Sequence, residues 1–205
     1  MAVDARQVQS FTAGKLKRLL ASPDDSSTKA ALANMRRGIG RAPGDMPELW
    51  GVLFRDMPEE MLSSSKAPSK AEWAAYIALT LFALHQQGRD PSKEPMSREK
   101  YTLGRAVRAL IPTGDDDAES RIQRRFNAAA TSGDMDELAY HLRGVVQLLR
   151  AEGIPLDYPA LAADIFNYQF QDRAPSVRLA WGQDFYRIRE EKTQNETEGK
   201  DNSNA

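Results

Sequence analysis

The feature that most limits what this chain can fold into lies between Ser69 and Gly88. Ser69 followed three residues later by Glu72 is a capping box, in which the hydroxyl and the carboxylate each take a backbone N–H that a helix leaves unsatisfied at its start. The run it opens, Lys70 to about Gln87, carries Trp73, Tyr76, Ile77, Leu79, Leu81, Phe82 and Leu84 over most of a helical circumference. A helix that is apolar nearly all round is expected only where neighbours pack on several sides, so this one is core.

The flanking segments show the same period with one apolar face. Ala5 to Ala21 repeats Val8, Phe11, Leu16, Leu19 and Leu20, stops at Ser22-Pro23, and carries Lys15 and Arg18 on its polar side. A second helix starts near Ser27 as cap, runs through Ala31, Leu32 and Met35, and ends at Gly38 in the left-handed position that suits glycine after a helix. Gly38 to Gly44 is loop, followed by a short apolar turn around Leu49, Trp50, Leu53 and Phe54. Beyond the polar stretch Arg89 to Pro95, Ser97 is expected to cap a helix through Tyr101, Leu103, Val107 and Ile111. Helices then follow around Ile122 and Phe126, from Asp134 through Leu149 to Gly153, from Asp157-Pro159 through Phe170, and from Ser176 to Arg189. The last is expected to bury Val177, Leu179, Trp181, Phe185 and Tyr186.

No segment alternates β-branched residues between turn signals, so strands should be scarce or absent and the class is all-α. The polar stretch divides the chain into an N-terminal helical bundle, 1–92, and a C-terminal one, 93–190, packed as an elongated pair. Residues 191–205 have the composition of a disordered tail.

Enzyme signatures are largely missing. Without cysteine there is no thiolate nucleophile, thiolate metal site or disulfide, which fits a reducing cytoplasm. His85 and His141 each sit alone on a helix and read as packing or surface residues. Gly38, Gly40 and Gly44 lack the strand and the spacing of a phosphate loop. Asp115, Asp116 and Asp117 suit a metal-dependent nuclease only weakly, because adjacent acids point apart, and they suit a helix N-terminus well. No apolar run approaches the roughly 18 residues of a membrane helix, so no membrane partner is expected. No cofactor and no catalytic activity are expected.

What stands out is arginine. The formal net charge is only −1, yet Lys15 to Arg41 is strongly basic and the acids collect elsewhere. Arginine outnumbers lysine, and its planar fork grips phosphate oxygens in pairs as an ammonium cannot. Arg36 and Arg37 at a helix end, Arg41 in the next loop, and Arg121, Arg124 and Arg125 have few acids beside them in sequence. Arg18, Arg105, Arg108 and Arg143 extend these groups. An apposed polyanion would relieve their mutual repulsion and release counterions. An acidic protein partner meeting the same patches is the alternative.

Several stretches carry a resemblance in order and spacing: Met35-Arg36-Arg37-Gly38, Met46-Pro47-Glu48-Leu49-Trp50, Leu103-Gly104-Arg105-Ala106, Glu119-Ser120-Arg121-Ile122, Leu138 to Leu149, and Leu156-Asp157-Tyr158-Pro159 leading to Trp181. Through them most of residues 10–186 resembles the small subunit, CasB type, of the type I-E CRISPR Cascade surveillance complex. The resemblance implies two packed helical bundles without catalysis, two copies of the subunit, and other Cascade subunits as partners. It also implies guide RNA, target DNA and the displaced single strand as ligands, held by backbone so that the R-loop persists. Arg36, Arg37, Arg105 and Arg121 fall on the family's basic positions; the other six arginines come from local clustering.

Overall fold

The computed structural model of the chain describes residues 3–198, with side chains as far as Arg187. Among the described residues nine α-helices follow one another: α1 (Ala5–Ala21), α2 (Ser26–Arg37), the short α3 (Trp50–Leu53), α4 (Lys70–His85), α5 (Leu103–Ala109), α6 (Asp116–Ala130), α7 (Met135–Glu152), α8 (Tyr158–Tyr168) and α9 (Ala174–Glu198). Among the described residues the only β feature is a single bridge between Ser97 and Leu156, so the chain is all-α as expected.

α4 is the centre. Its capping box forms as expected: the Ser69 hydroxyl accepts from the Glu72 amide at 3.0 Å and the Glu72 carboxylate accepts from the Ser69 amide at 2.6 Å. From Ala71 to His85 only Trp73 escapes full burial. α1, α2, α7 and α8 all pack against it. The stretch 89–95 is loop, yet the buried cluster runs on across it, because α8 from the second half lies on α1 and α4 of the first. The expected tail, 191–205, has no described side chains, and from residue 199 lies outside the described residues.

Local chemistry explains most boundaries. Asp4, Asp25, Asp115, Asp134 and Asp157 each accept a backbone amide at the start of a helix. Gly153 closes α7 where the sequence ends that helix, at φ +66°, a left-handed cap that glycine takes without strain.

The sequence reading fails where a distant residue intervenes. Gly38 is right-handed, φ −77°, and the left-handed turn falls on Gly40 at φ +78°. What requires glycine at 38 is crowding, since a Cβ there would stand 2.7 Å from both Leu49 and the Tyr76 hydroxyl. Ser97 caps nothing: residues 97–102 stay extended or turned, and α5 begins at Leu103. Asp157 imposes this, because its carboxylate accepts from Lys100 N and Ala160 N, each at 3.0 Å, holding Lys100 at φ +68°. Lys15 is not on a solvated face but buried, its ammonium donating to the Arg55 carbonyl and lying over Phe11; burial lowers its pKa to about 8. Leu179 and Tyr186, expected inside, are 62% and 58% exposed, since α9 offers α5 and α8 only the face of Val177, Trp181 and Phe185.

α5 and α9 cross at Gly104, where an added Cβ would meet the Trp181 carbonyl oxygen at 2.2 Å and the Phe185 nitrogen at 2.8 Å. Backbone cannot step aside as a flexible side chain can. Gly104→Ala is therefore expected to destabilise the protein by about 1–3 kcal/mol, measured by urea unfolding. Gly182→Ala, on the same helix pair but meeting nothing within 4 Å, should be neutral or stabilising.

Two titratable groups, His85 in the core and the half-buried Asp164, act in opposite directions. His85 is fully buried and shares a 2.9 Å hydrogen bond between Nδ1 and the Tyr158 hydroxyl; burial lowers its pKa to about 4. Its contribution to stability is complete above pH 6.5 and is lost as pH falls toward 4. Asp164 accepts from the Trp181 indole at 2.7 Å, and burial pushes its pKa up to about 6. The folded protein thus keeps a proton that the unfolded chain releases, and this contribution is fullest below about pH 4 and lost as pH rises through 6. Asp164→Asn keeps the indole's acceptor and removes the second effect. Its urea midpoint should fall more steeply than the wild type's between pH 6 and pH 4, and parallel curves would show that Asp164 does not titrate there.

Candidate functional site

α7 turns Leu138, Leu142, Val145, Val146 and Leu149 inward, which leaves Tyr140, Arg143, Gln147 and Arg150 recurring every three or four residues on its outer side. Two clefts flank this stripe. The first, about 440 Å³, lies between α6 and α7 and is lined by Arg124, Arg125, Tyr140, His141, Arg143 and Gln147. The second, about 450 Å³, lies between α7, α4 and the loop after α2, with Arg41, Trp73, Tyr76, Asp136, Tyr140 and Arg143 on its walls. Tyr140 and Arg143 belong to both, so the clefts are two sides of one surface. Further along α7, Gln147 and Arg150 open onto a third depression with Arg89.

The charges on this surface are free to act outward. Arg41, Arg124, Arg125 and Arg143 are exposed, and among the described residues none lies within ion-pair distance of a carboxylate. Asp45, on the wall of the second cleft, accepts from the Ala42 amide at 3.0 Å and so braces its own loop; Asp136 is the other acid there. At the edge of the first cleft, His141 lies 3.7 Å from Glu137.

The ten arginines singled out from sequence thus divide. Arg41, Arg124, Arg125 and Arg143 come together from a loop and two helices. Arg121 is exposed one turn before Arg124 and Arg125 and continues their row on α6. Arg36 and Arg37 end α2; Arg37 is exposed and Arg36 half-buried, its pKa lowered by burial and then by the charge of Arg150, and neither lines the two clefts. The remaining three do not join. Arg18 is held by Asp56, Arg108 by Glu119 at 3.3 Å, and Arg105 stands 3.9 Å from Asp184 with its Nε buried and unpartnered among the described residues. Arg108 also lies over the Phe185 ring at 5.7 Å, so with Arg105 it ties α5 to α6 and α9. Their partners come from distant sequence, so local clustering could not distinguish a brace from a free cation.

Arg150 and Tyr140 escaped the sequence reading. Arg150 lies seven residues after Arg143, two turns along one helical face, and that spacing was the available signal. Tyr140 stands three residues before Arg143 on that same face, so the period also placed it outside, but the clefts on either side of it depend on where α4 and α6 sit.

The other chemical candidates resolve into structure. Asp115 accepts from the Ala118 amide at 2.8 Å and caps α6, with Asp116 and Asp117 in its first turn. Among the described residues no three His, Asp or Glu side chains gather as metal ligands, and no helix is long and apolar enough to cross a membrane.

Residues 31–186 match the family model of CRISPR-associated protein Cse2. Among solved structures, CasB from Thermobifida fusca is 32% identical over 88% of this chain and 98% of its own, with a TM-score of 0.73. CasB from Thermus thermophilus, 22% identical over 91% and 99% of the two chains, shares the fold at a TM-score of 0.62. So does a chain of a CRISPR RNA-guided surveillance complex, 23% identical over 92% and 98%, at 0.69. Among curated proteins nothing matches. With three quarters of its length inside the family model and a crystallised CasB 32% identical over most of both chains, this chain belongs to the CRISPR-associated Cse2 family, of the CasB type.

Proposed function

We propose that the outer face of α7 and its two clefts form a phosphate-directed track, through which this subunit holds guide, target and displaced strands and so prolongs the R-loop. The observation that carries the reading is the convergence of Arg41, Arg124, Arg125 and Arg143 from separate elements onto one surface without carboxylate partners among the described residues. Like charges brought together by folding cost free energy unless something anionic meets them. Guanidinium groups spaced along clefts suit a chain of phosphates, and the absence of a fixed donor–acceptor frame suits backbone over base edges. Sequence is then read by the guide RNA, and the exchange of one duplex for another is balanced closely enough for backbone grip to tip it.

The role is non-catalytic. Asp115 is engaged as a helix cap, Asp116 and Asp117 complement the first turn of the same helix, and His85 is sealed in the core, which supports that reading. Arg121, Arg36 and Arg37 lengthen the track, and Arg150 joins it. Arg18, Arg105 and Arg108 contribute through folding.

Charge reversal tests this directly. The triple variant Arg124→Glu, Arg125→Glu, Arg143→Glu should keep its helical circular dichroism and lose single-strand binding. Each arginine that meets a phosphate contributes roughly 0.7–0.9 to the slope of log affinity against log salt, so the triple variant should flatten that slope by about two units. Assembled into the complex, it should shorten R-loop lifetime, whereas Arg18→Ala should not. Unchanged affinity and slope would reject the track.

A further inference from the structure

We infer that Tyr140 is a stacking platform for an unpaired base, placed so that the arginines of the two clefts take the phosphates before and after it. This deepens the phosphate-directed reading and rests on it. Tyr140 is 72% exposed, more than any other large apolar side chain with a described position. A lone exposed ring means little; its placement is what matters. Tyr140 lines both clefts, with Arg124 and Arg125 across one and Arg41 across the other, and Arg143 one turn along the same helix.

The ring is also braced. His141 meets it edge-on, centroids 5.2 Å apart at 73°, and His141 in turn lies 3.7 Å from Glu137. The Tyr140 hydroxyl makes no hydrogen bond among the described residues, so no polar anchor accounts for its place at the surface.

An aromatic face flanked by cations is the arrangement that holds single strands without regard to sequence, because every base has a flat face and every nucleotide a phosphate. A duplex offers the same phosphates, but its base faces are already covered by their neighbours. The platform therefore separates single strands from duplexes where the arginines alone do not. The ligand class is single-stranded nucleic acid, DNA or RNA, with at least one unstacked base.

The test measures binding of the full-length protein to an oligonucleotide by fluorescence anisotropy, with the strand supplied as natural DNA, as natural RNA and as DNA carrying abasic sites. Tyr140→Ala should weaken natural-strand binding by roughly 5- to 150-fold, the range of a lost base stack, and Tyr140→Phe should restore it to within about twofold. Abasic sites should weaken the wild type and leave Tyr140→Ala unchanged, while the salt slope stays the same in both proteins because no phosphate contact is removed. A loss with either DNA or RNA supports the platform and identifies the strand. If Tyr140→Ala binds like the wild type while the salt slope persists, the platform is wrong and the arginine track stands. If the wild type shows no salt-dependent binding, both are wrong.

Discussion

A helix that is apolar all round is stable only if it is surrounded, and α4 is enclosed by α1, α2, α7 and α8. Each of those partners then needs a single apolar face, and its opposite face is left to water. This division makes the surface of the protein a set of helix backs. On α7 the back carries Tyr140, Arg143, Gln147 and Arg150, and on α6 it carries Arg121, Arg124 and Arg125. The clefts between them follow from the packing of neighbouring helices on a common core.

Charge is sorted by the same geometry. Where an arginine's helix meets another element carrying an acid, the pair closes, as Arg108 does with Glu119 and Arg18 with Asp56. Where the helix back faces out, the cation stays available. Net charge says nothing about this, since −1 overall is compatible with a wholly unpaired arginine surface on one side. The distinction between structural and outward-facing arginines lives at the level of tertiary packing.

Much was legible in the sequence because it was written locally. The capping box at Ser69, the aspartate caps at 134 and 157 and the helix end at Gly153 are set by residues within one turn, and the all-α class follows from such local signals. The failures share a cause of the opposite kind. Ser97 yields to Asp157 sixty residues away, Lys15 is drawn inside by the Arg55 carbonyl, and Leu179 and Tyr186 are left out by the limited area that α5 and α8 offer. In the candidate site, clustering in sequence found Arg124 and Arg125, and Arg143 alone on α7, but not that a shared cleft unites them. Nor could it show that Arg105 and Arg108 face Asp184 and Glu119.

The central claim is that arginines from three separate elements form one anion-binding surface. Footprinting by an arginine-specific dicarbonyl reagent, with and without bound single-stranded nucleic acid and read by mass spectrometry, tests it most directly. Bound strand should shield Arg41, Arg124, Arg125 and Arg143 together, with Arg18 and Arg105 unaffected. Protection absent from that set, or centred instead on Arg18 and Arg105, would contradict the account.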